Sequence, residues 1–237
     1  MPKKRDPRLF DTPFSADYWR LAAGEFRSVR MLVLAAMLTA LRIAVKSLRV
    51  PVGPDLNITF GFLVNAVGSM IYGPVVAILA SAVSDTAGAL LFPSGTYFFP
   101  FIFEEIAGGV LFALFYYRAR LTTVRVMLGR FAVTAVCNLL LNPLFLMWYY
   151  ALYLGKAYRF LTWPRLAKNI ALFPLQTIAL VLVFNLLLPV TDRMGLTASG
   201  GVKMQLTKKN IAAVILLTVL AAALVVAYYL WVYKPKA

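Results

Sequence analysis

Residues 30–49 read RMLVLAAMLTALRIAVKSLR, a run apolar enough to enter a lipid bilayer that still carries Arg42, Lys46 and Arg49 in its second half. At about 100° per residue the three cations fall within one narrow arc of a helix, and Ala36, Ala40 and Ala44 recur every fourth position on the opposite side. Cations that deep in a membrane segment are expensive and face a protein interior or a watery cavity. A stripe of small residues lets another helix approach closely. The pattern predicts one helix with a docking face and a face for an anionic ligand. Two plainer explanations stay open at this stage: Lys46 and Arg49 snorkelling to the interface, and the alanines packing internally.

Hydrophobic residues make up 62% of the 237 and charged residues only 14%, with a mean hydropathy of +0.79. A soluble domain would be about a quarter charged, so an integral membrane protein is expected. No apolar run precedes Met31, and a cleavable signal peptide is therefore not expected. The formal charge of +15 is concentrated. Lys3, Lys4, Arg5, Arg8, Arg20, Arg27 and Arg30 precede the first span. Arg118, Arg120, Arg125 and Arg130 share one predicted loop, and Arg193, Lys203, Lys208 and Lys209 another. All three clusters fall on one side of the predicted spans, which marks that side and the N-terminus as cytoplasmic. Their counterpart is then anionic lipid headgroups at the cell membrane, not nucleic acid.

A lone Cys137 and the absence of histidine argue against an intrachain disulfide, His- or Cys-based zinc sites and histidine-dependent triads. No phosphate-binding loop or dinucleotide fingerprint occurs either. No cofactor, metal site or ATP hydrolysis by this chain is expected.

Along the chain, residues 1–28 read as a cytoplasmic tail, with Ser15 suited to cap an interfacial amphipathic helix over 15–27; a solvated tail is the alternative. Spans are predicted at 29–48, 60–72, 74–92, 101–117, 131–154 and 164–188, giving a six-helix membrane domain over 29–196. A cytoplasmic linker at 197–209 and an additional transmembrane helix within 210–237 follow. The stretch 60–72 is short of the ~20 residues a straight crossing needs. It holds Gly61, Asn65 and Gly68, and interrupted helices of this kind border cavities. Tyr72-Gly73-Pro74 reads as a tight turn. Pro51, Gly53, Pro54, Asp55 and Asn57 shape the first external loop, PSGTYFFP over 93–100 the second, and residues 155–163 the third.

Polar groups then converge on the external half from several helices: Arg42 and Lys46, Asp85, Glu105, Asn142, and Arg165, Lys168, Asn169 and Gln176. Asp85 either pairs with a cation on another helix or contacts a ligand. Glu104 and Glu105 point about 100° apart, so only one should face a shared cavity; Glu105, on the side of Gly109, is the choice. Their other explanation is complementing the helix dipole. Positive groups suit carboxylates, and a carboxylate with amides suits a hydrogen-bonding heterocycle.

The sequence VRMLVLAAMLTALRIAVKSLRVPVGPDLNITFGFLVNAVGSMIYGPVVAILASAVSDTAGALLFPSGTYFFPFIFEE over 29–105, with RLAKNIALFPLQ over 165–176, resembles the substrate-binding S components of energy-coupling factor (ECF) transporters, in their folate branch. The resemblance spans about residues 15–196. It implies an all-α S-component bundle with an external site closed by the loops. It also implies docking of the Ala36, Ala40 and Ala44 stripe onto a transmembrane coupling subunit driven by two ATPase subunits. The ligand it implies is folate, its pterin stacked by Tyr97, Phe98 or Phe99 and its glutamate tail neutralised by Arg42, Lys46, Arg165 or Lys168. Asn57 is counted with these ligand-binding residues. The family pattern ends near Leu196, so the apolar run 211–233 is a departure from it. A different vitamin is the nearest rival. An intramembrane enzyme using Asp85 or Glu105 lacks a metal set or nucleophile–base pair beside them. A scaffold would explain the alanine stripe but not the embedded charges.

Overall fold

The computed structural model describes residues 8–53, 56–93 and 97–197, together with helical backbone at 212, 215, 216, 219 and 223. Most of the additional helix anticipated after residue 210 thus lies outside the described residues.

The chain opens with helix α1 (Ala16–Gly24), capped by the Ser15 side chain accepting from the Tyr18 N–H at 3.2 Å. A 3-10 turn over Glu25–Arg27 then leads, through a bend of 84°, into α2 (Val29–Lys46), whose cap is Ser28. The loop after α2 is a two-stranded antiparallel hairpin, β1 (Arg49–Gly53) and β2 (Leu56–Thr59). Helix α3 (Gly61–Leu91) follows, broken at Gly73, whose φ of 76° is the left-handed region that favours glycine, with Pro74 directly after it. A straight helix would separate Gly61 from Gly88 by roughly 40 Å. Instead, β-carbons placed on them would stand 3.9 Å and 3.3 Å from the Lys46 side chain. The two arms, 61–72 and 74–91, therefore double back at Gly73, as the Tyr72-Gly73-Pro74 motif predicts.

Helix α4 (Phe101–Tyr116) packs on the second arm where Gly109 meets it; a β-carbon there would lie 2.5 Å from Ser81 Oγ. The next span begins eight residues earlier than expected. Thr122 caps α5 (Thr123–Val133), and helical structure continues through a π-helical stretch (Thr134–Leu141), α6 (Asn142–Tyr149) and a second π stretch (Tyr150–Leu154). Arg125 and Arg130 accordingly sit on a helix and not in the basic loop to which the hydropathy pattern assigns them. Helix α7 (Trp163–Arg193) completes the bundle. With the arms of α3 counted separately, α2, the two arms, α4, the 123–154 span and α7 make the six helices of the bundle.

Two clusters hold the end of the bundle nearest Gly73. Phe112 and Tyr116 stack at 5.5 Å and Tyr116 meets Phe184 edge-on at 5.2 Å, tying α4 to α7; the Tyr116 hydroxyl donates to the Val126 carbonyl at 2.8 Å. Beside it, Glu25 accepts from the Tyr117 hydroxyl at 2.8 Å and pairs with the buried Arg118 at 3.3 Å. Tyr18 donates to the Ala113 carbonyl at 3.0 Å, and burial pushes its phenol pKa well up, so it stays a neutral donor. The tail helix is thus docked by its Tyr18 and Ala22 face, while Trp19 remains exposed.

Candidate functional site

At the opposite end, beneath the hairpin, the helices enclose a cavity of about 730 Å³. That volume is ordinary for a site holding one organic ligand. Its wall is formed by α2, both arms of α3, α4, the 123–154 span and α7.

Three polar networks furnish it. In the first, the buried Arg42 on α2 donates to Ser81 Oγ at 3.1 Å and pairs closely with Glu105 on α4. One turn along, Lys46 Nζ stands 2.6 Å from Glu105 Oε1 and 3.5 Å from Asp85 Oδ1. The Tyr97 hydroxyl donates to the other Asp85 oxygen at 3.4 Å. The Asp85 carboxylate thus meets a cation of another helix, and it also lines the cavity. Arg42 and Lys46 line the cavity too, but both are occupied by the protein's own carboxylates.

The second network runs across the mouth. Arg165 on α7 donates to the Asn142 side-chain oxygen and, at 2.7 Å, to the Tyr158 hydroxyl. Asn142 in turn donates to Glu104 at 2.8 Å, and Asn138 donates to Asn169 at 2.8 Å. Glu104 and Glu105 thus both face the cavity, against the expectation that only one would. Adjacent residues diverge by about 100°, and a chamber this wide subtends a larger arc of α4 than that. Lys168 lines the same wall, partly buried.

The third network lies at the floor, where Arg130 donates to Gln176 Oε1 through Nε at 3.0 Å and Nη2 at 2.5 Å. Its guanidinium lies over the Phe62 ring, 4.8 Å from the centroid. Hydropathy hides Arg130 because its basic neighbours resemble a loop. The signal that reveals it is Thr122, a capping residue that starts a helix early enough to carry Arg130 into the bundle.

The aromatic lining is partly as expected. Phe98 is buried edge-on against Phe101 at 5.7 Å and Tyr149 at 5.6 Å, and with Tyr97 it lines the cavity. Phe99 does not: it is 59% exposed and packs on Phe103 outside. Phe98 and Phe99 occupy the tight turn that starts α4, where consecutive side chains diverge. Phe62, Phe101, Tyr149 and Tyr150 line the cavity without having been singled out in the sequence. The side chain of Asn57 lies outside the described residues. Ala36, Ala40 and Ala44 are all exposed on the outer face of α2, alongside the exposed Val33, Met37 and Leu41.

Among the described residues five cations (Arg42, Lys46, Arg130, Arg165, Lys168) and three carboxylates (Asp85, Glu104, Glu105) line the cavity, an excess of two positive charges. Among the described residues no cluster of three or more acidic or Cys side chains is placed to hold a metal ion.

Over residues 30–184 the chain matches the family described as ECF transporter, substrate-specific component. It is 31% identical over 150 residues to the folate transporter FolT of Clostridium novyi, covering 63% of this chain and 84% of that protein. It is 30% identical over 150 residues to the FolT of Leuconostoc mesenteroides, covering 62% and 80%. A crystal structure of FolT bound with folic acid is similar at a TM-score of 0.57 and 32% sequence identity, covering 64% of this chain and 89% of that one.

Proposed function

This chain belongs to the substrate-specific components of ECF transporters, a family of membrane transport proteins, and on that premise we propose that it captures folate at the outer face of the cell membrane. The carrying observation is the cavity itself. Its excess of two positive charges and its aromatic wall suit a molecule with two carboxylates and a flat heterocycle. Folate has that chemistry, and the similar proteins include folate transporters and a folic acid complex.

Arg42 and Lys46 already face Glu105 and Asp85. The glutamate tail therefore goes to Arg165 and Lys168, three residues apart on α7, where no carboxylate of the described residues reaches Arg165 directly. Tyr97, Phe98, Phe101 and Tyr149 offer rings to the heterocycle and its linker. Thr59 at the end of the hairpin and Tyr97 and Phe98 before α4 border the same cavity. The loaded protein then docks through Ala36, Ala40 and Ala44 onto a transmembrane coupling subunit, and two ATPase subunits drive release to the cytoplasm. The exposure of that stripe and its setting among exposed apolar side chains support this use. The basic clusters at the Gly73 end of the bundle support a cytoplasmic N-terminus. Catalysis has no part in this reading.

Mass spectrometry of small molecules released from the purified protein, followed by folic acid titration against Trp fluorescence, tests it. Saturable folic acid binding is expected. Release of a different vitamin, with no response to folic acid, would replace folate by that compound.

A further inference from the structure

Arg130 is 4% exposed, and among the described residues no carboxylate stands within ion-pair distance of it. A buried cation so placed is costly unless something else supplies the compensating acceptors. Its neighbours sharpen the point. Gln176 uses its oxygen to accept from both Arg130 Nε and Nη2, which directs its amide Nε2 elsewhere. Across the floor, the buried Asn65 uses its oxygen to accept from the Ser69 hydroxyl at 3.4 Å, which directs its Nδ2 away from Ser69. Both amides are therefore oriented by their partners, and each has its N–H group left to offer. Arg130 Nη1, Gln176 Nε2 and Asn65 Nδ2 make no hydrogen bond to the described residues, and all three side chains line the cavity. Gln176 Oε1 already accepts twice and has no lone pair left, and Arg130 has none to offer, so Asn65 Oδ1, which accepts one bond, is the single side-chain acceptor left among the three.

We propose that Arg130, Gln176 and Asn65 form a donor-rich, cationic subsite at the cavity floor, which selects ligands whose leading end presents hydrogen-bond acceptors. This rests on the folate reading and deepens it. In folate two groups have that character: the heterocycle edge formed by its carbonyl oxygen and N5 of the second ring, and a tail carboxylate. Gln176 lies eleven residues beyond Arg165 on α7, roughly 16 Å along the axis, so the floor and the Arg165–Lys168 wall contact different ends of an extended molecule. A ligand end bearing mainly N–H groups would leave the Arg130 and Gln176 N–H donors unpaired, and is disfavoured for burying them unsatisfied.

The test compares the purified full chain with Arg130→Gln and Gln176→Glu, using folic acid, pteroic acid, which lacks the glutamate, and p-aminobenzoylglutamate, which lacks the heterocycle. Arg130→Gln should weaken folic acid binding by about 10- to 100-fold, the size of one charge-assisted contact. A loss for folic and pteroic acids that spares p-aminobenzoylglutamate places the heterocycle edge on the floor. A loss confined to p-aminobenzoylglutamate and folic acid places a tail carboxylate there. Gln176→Glu, which puts an acceptor into the floor, should also weaken binding. Unchanged affinity in both variants, with melting temperatures near that of the parent, overturns the subsite while leaving the folate reading intact. If the parent does not bind folic acid, the folate reading falls by itself, and thermal protection by benzoate against benzamidine decides the floor. Protection by benzoate alone, lost in Arg130→Gln, supports it; no protection, or protection that survives the substitution, overturns it.

Discussion

Lys46 Nζ lies 2.6 Å from Glu105 Oε1, joining α2 to α4 across the cavity wall. With Arg42 on the same carboxylate and Asp85 3.5 Å from the same ammonium, two cations and two carboxylates from three elements neutralise one another. A motif that reads in isolation as an anion site is in place a clasp between helices.

Glu105→Gln should therefore destabilise the protein more than it alters ligand selectivity. It leaves Arg42 without its carboxylate, and a broken buried pair costs on the order of 3 kcal/mol. Thermal unfolding in detergent checks this. Arg42→Gln added to Glu105→Gln should recover part of the loss, since removing both charges relieves the orphaned one.

Lys168→Ala should weaken folic acid binding by about tenfold, as for one charge-assisted contact. Arg120→Ala, which removes an exposed charge at the other end of the bundle, should leave it unchanged. Titration of both variants by Trp fluorescence measures the difference; equal effects would contradict the assignment of the tail.

Ala40→Leu should leave folic acid binding near the parent value, because Ala40 is exposed on the face of α2 away from the cavity. Uptake into vesicles reconstituted with the coupling subunit and ATPases should be lost, since the added branch blocks close approach of a partner helix. Loss of binding along with uptake would mean that the stripe serves the bundle itself.

Gly73→Ala should lower stability by roughly 2 kcal/mol through its left-handed backbone, with added crowding from the Tyr117 ring, 2.9 Å from the new β-carbon. Gly155→Ala, also at positive φ but with nothing within 4 Å, should cost less. The gap between their melting temperatures reads the ring contact together with the backbone difference, since ψ is 178° at Gly73 and 24° at Gly155.

Much of the architecture was legible because membrane segments announce themselves by length and hydropathy, and because turns have local chemistry. Tyr72-Gly73-Pro74 marked the reversal of α3. Span 123–154 was placed too late because Arg125 and Arg130 resemble loop residues to a hydropathy window, although Thr122 signals the true start. Phe99 was grouped with Phe98 by adjacency alone, and a tight turn sends them to different environments.

The amino-acid sequence by itself determined that this is a multi-pass helical membrane protein, and that α2 carries cations on one side and alanines on the other. Those properties are periodic along a single segment and need no knowledge of its neighbours. Only the tertiary structure decided that Arg42 and Lys46 are matched by Glu105 and Asp85, that Glu104 shares the chamber, and that Arg130 stands with Gln176 at its floor. Such matches depend on the relative height and rotation of helices far apart in the chain, and local periodicity does not encode either.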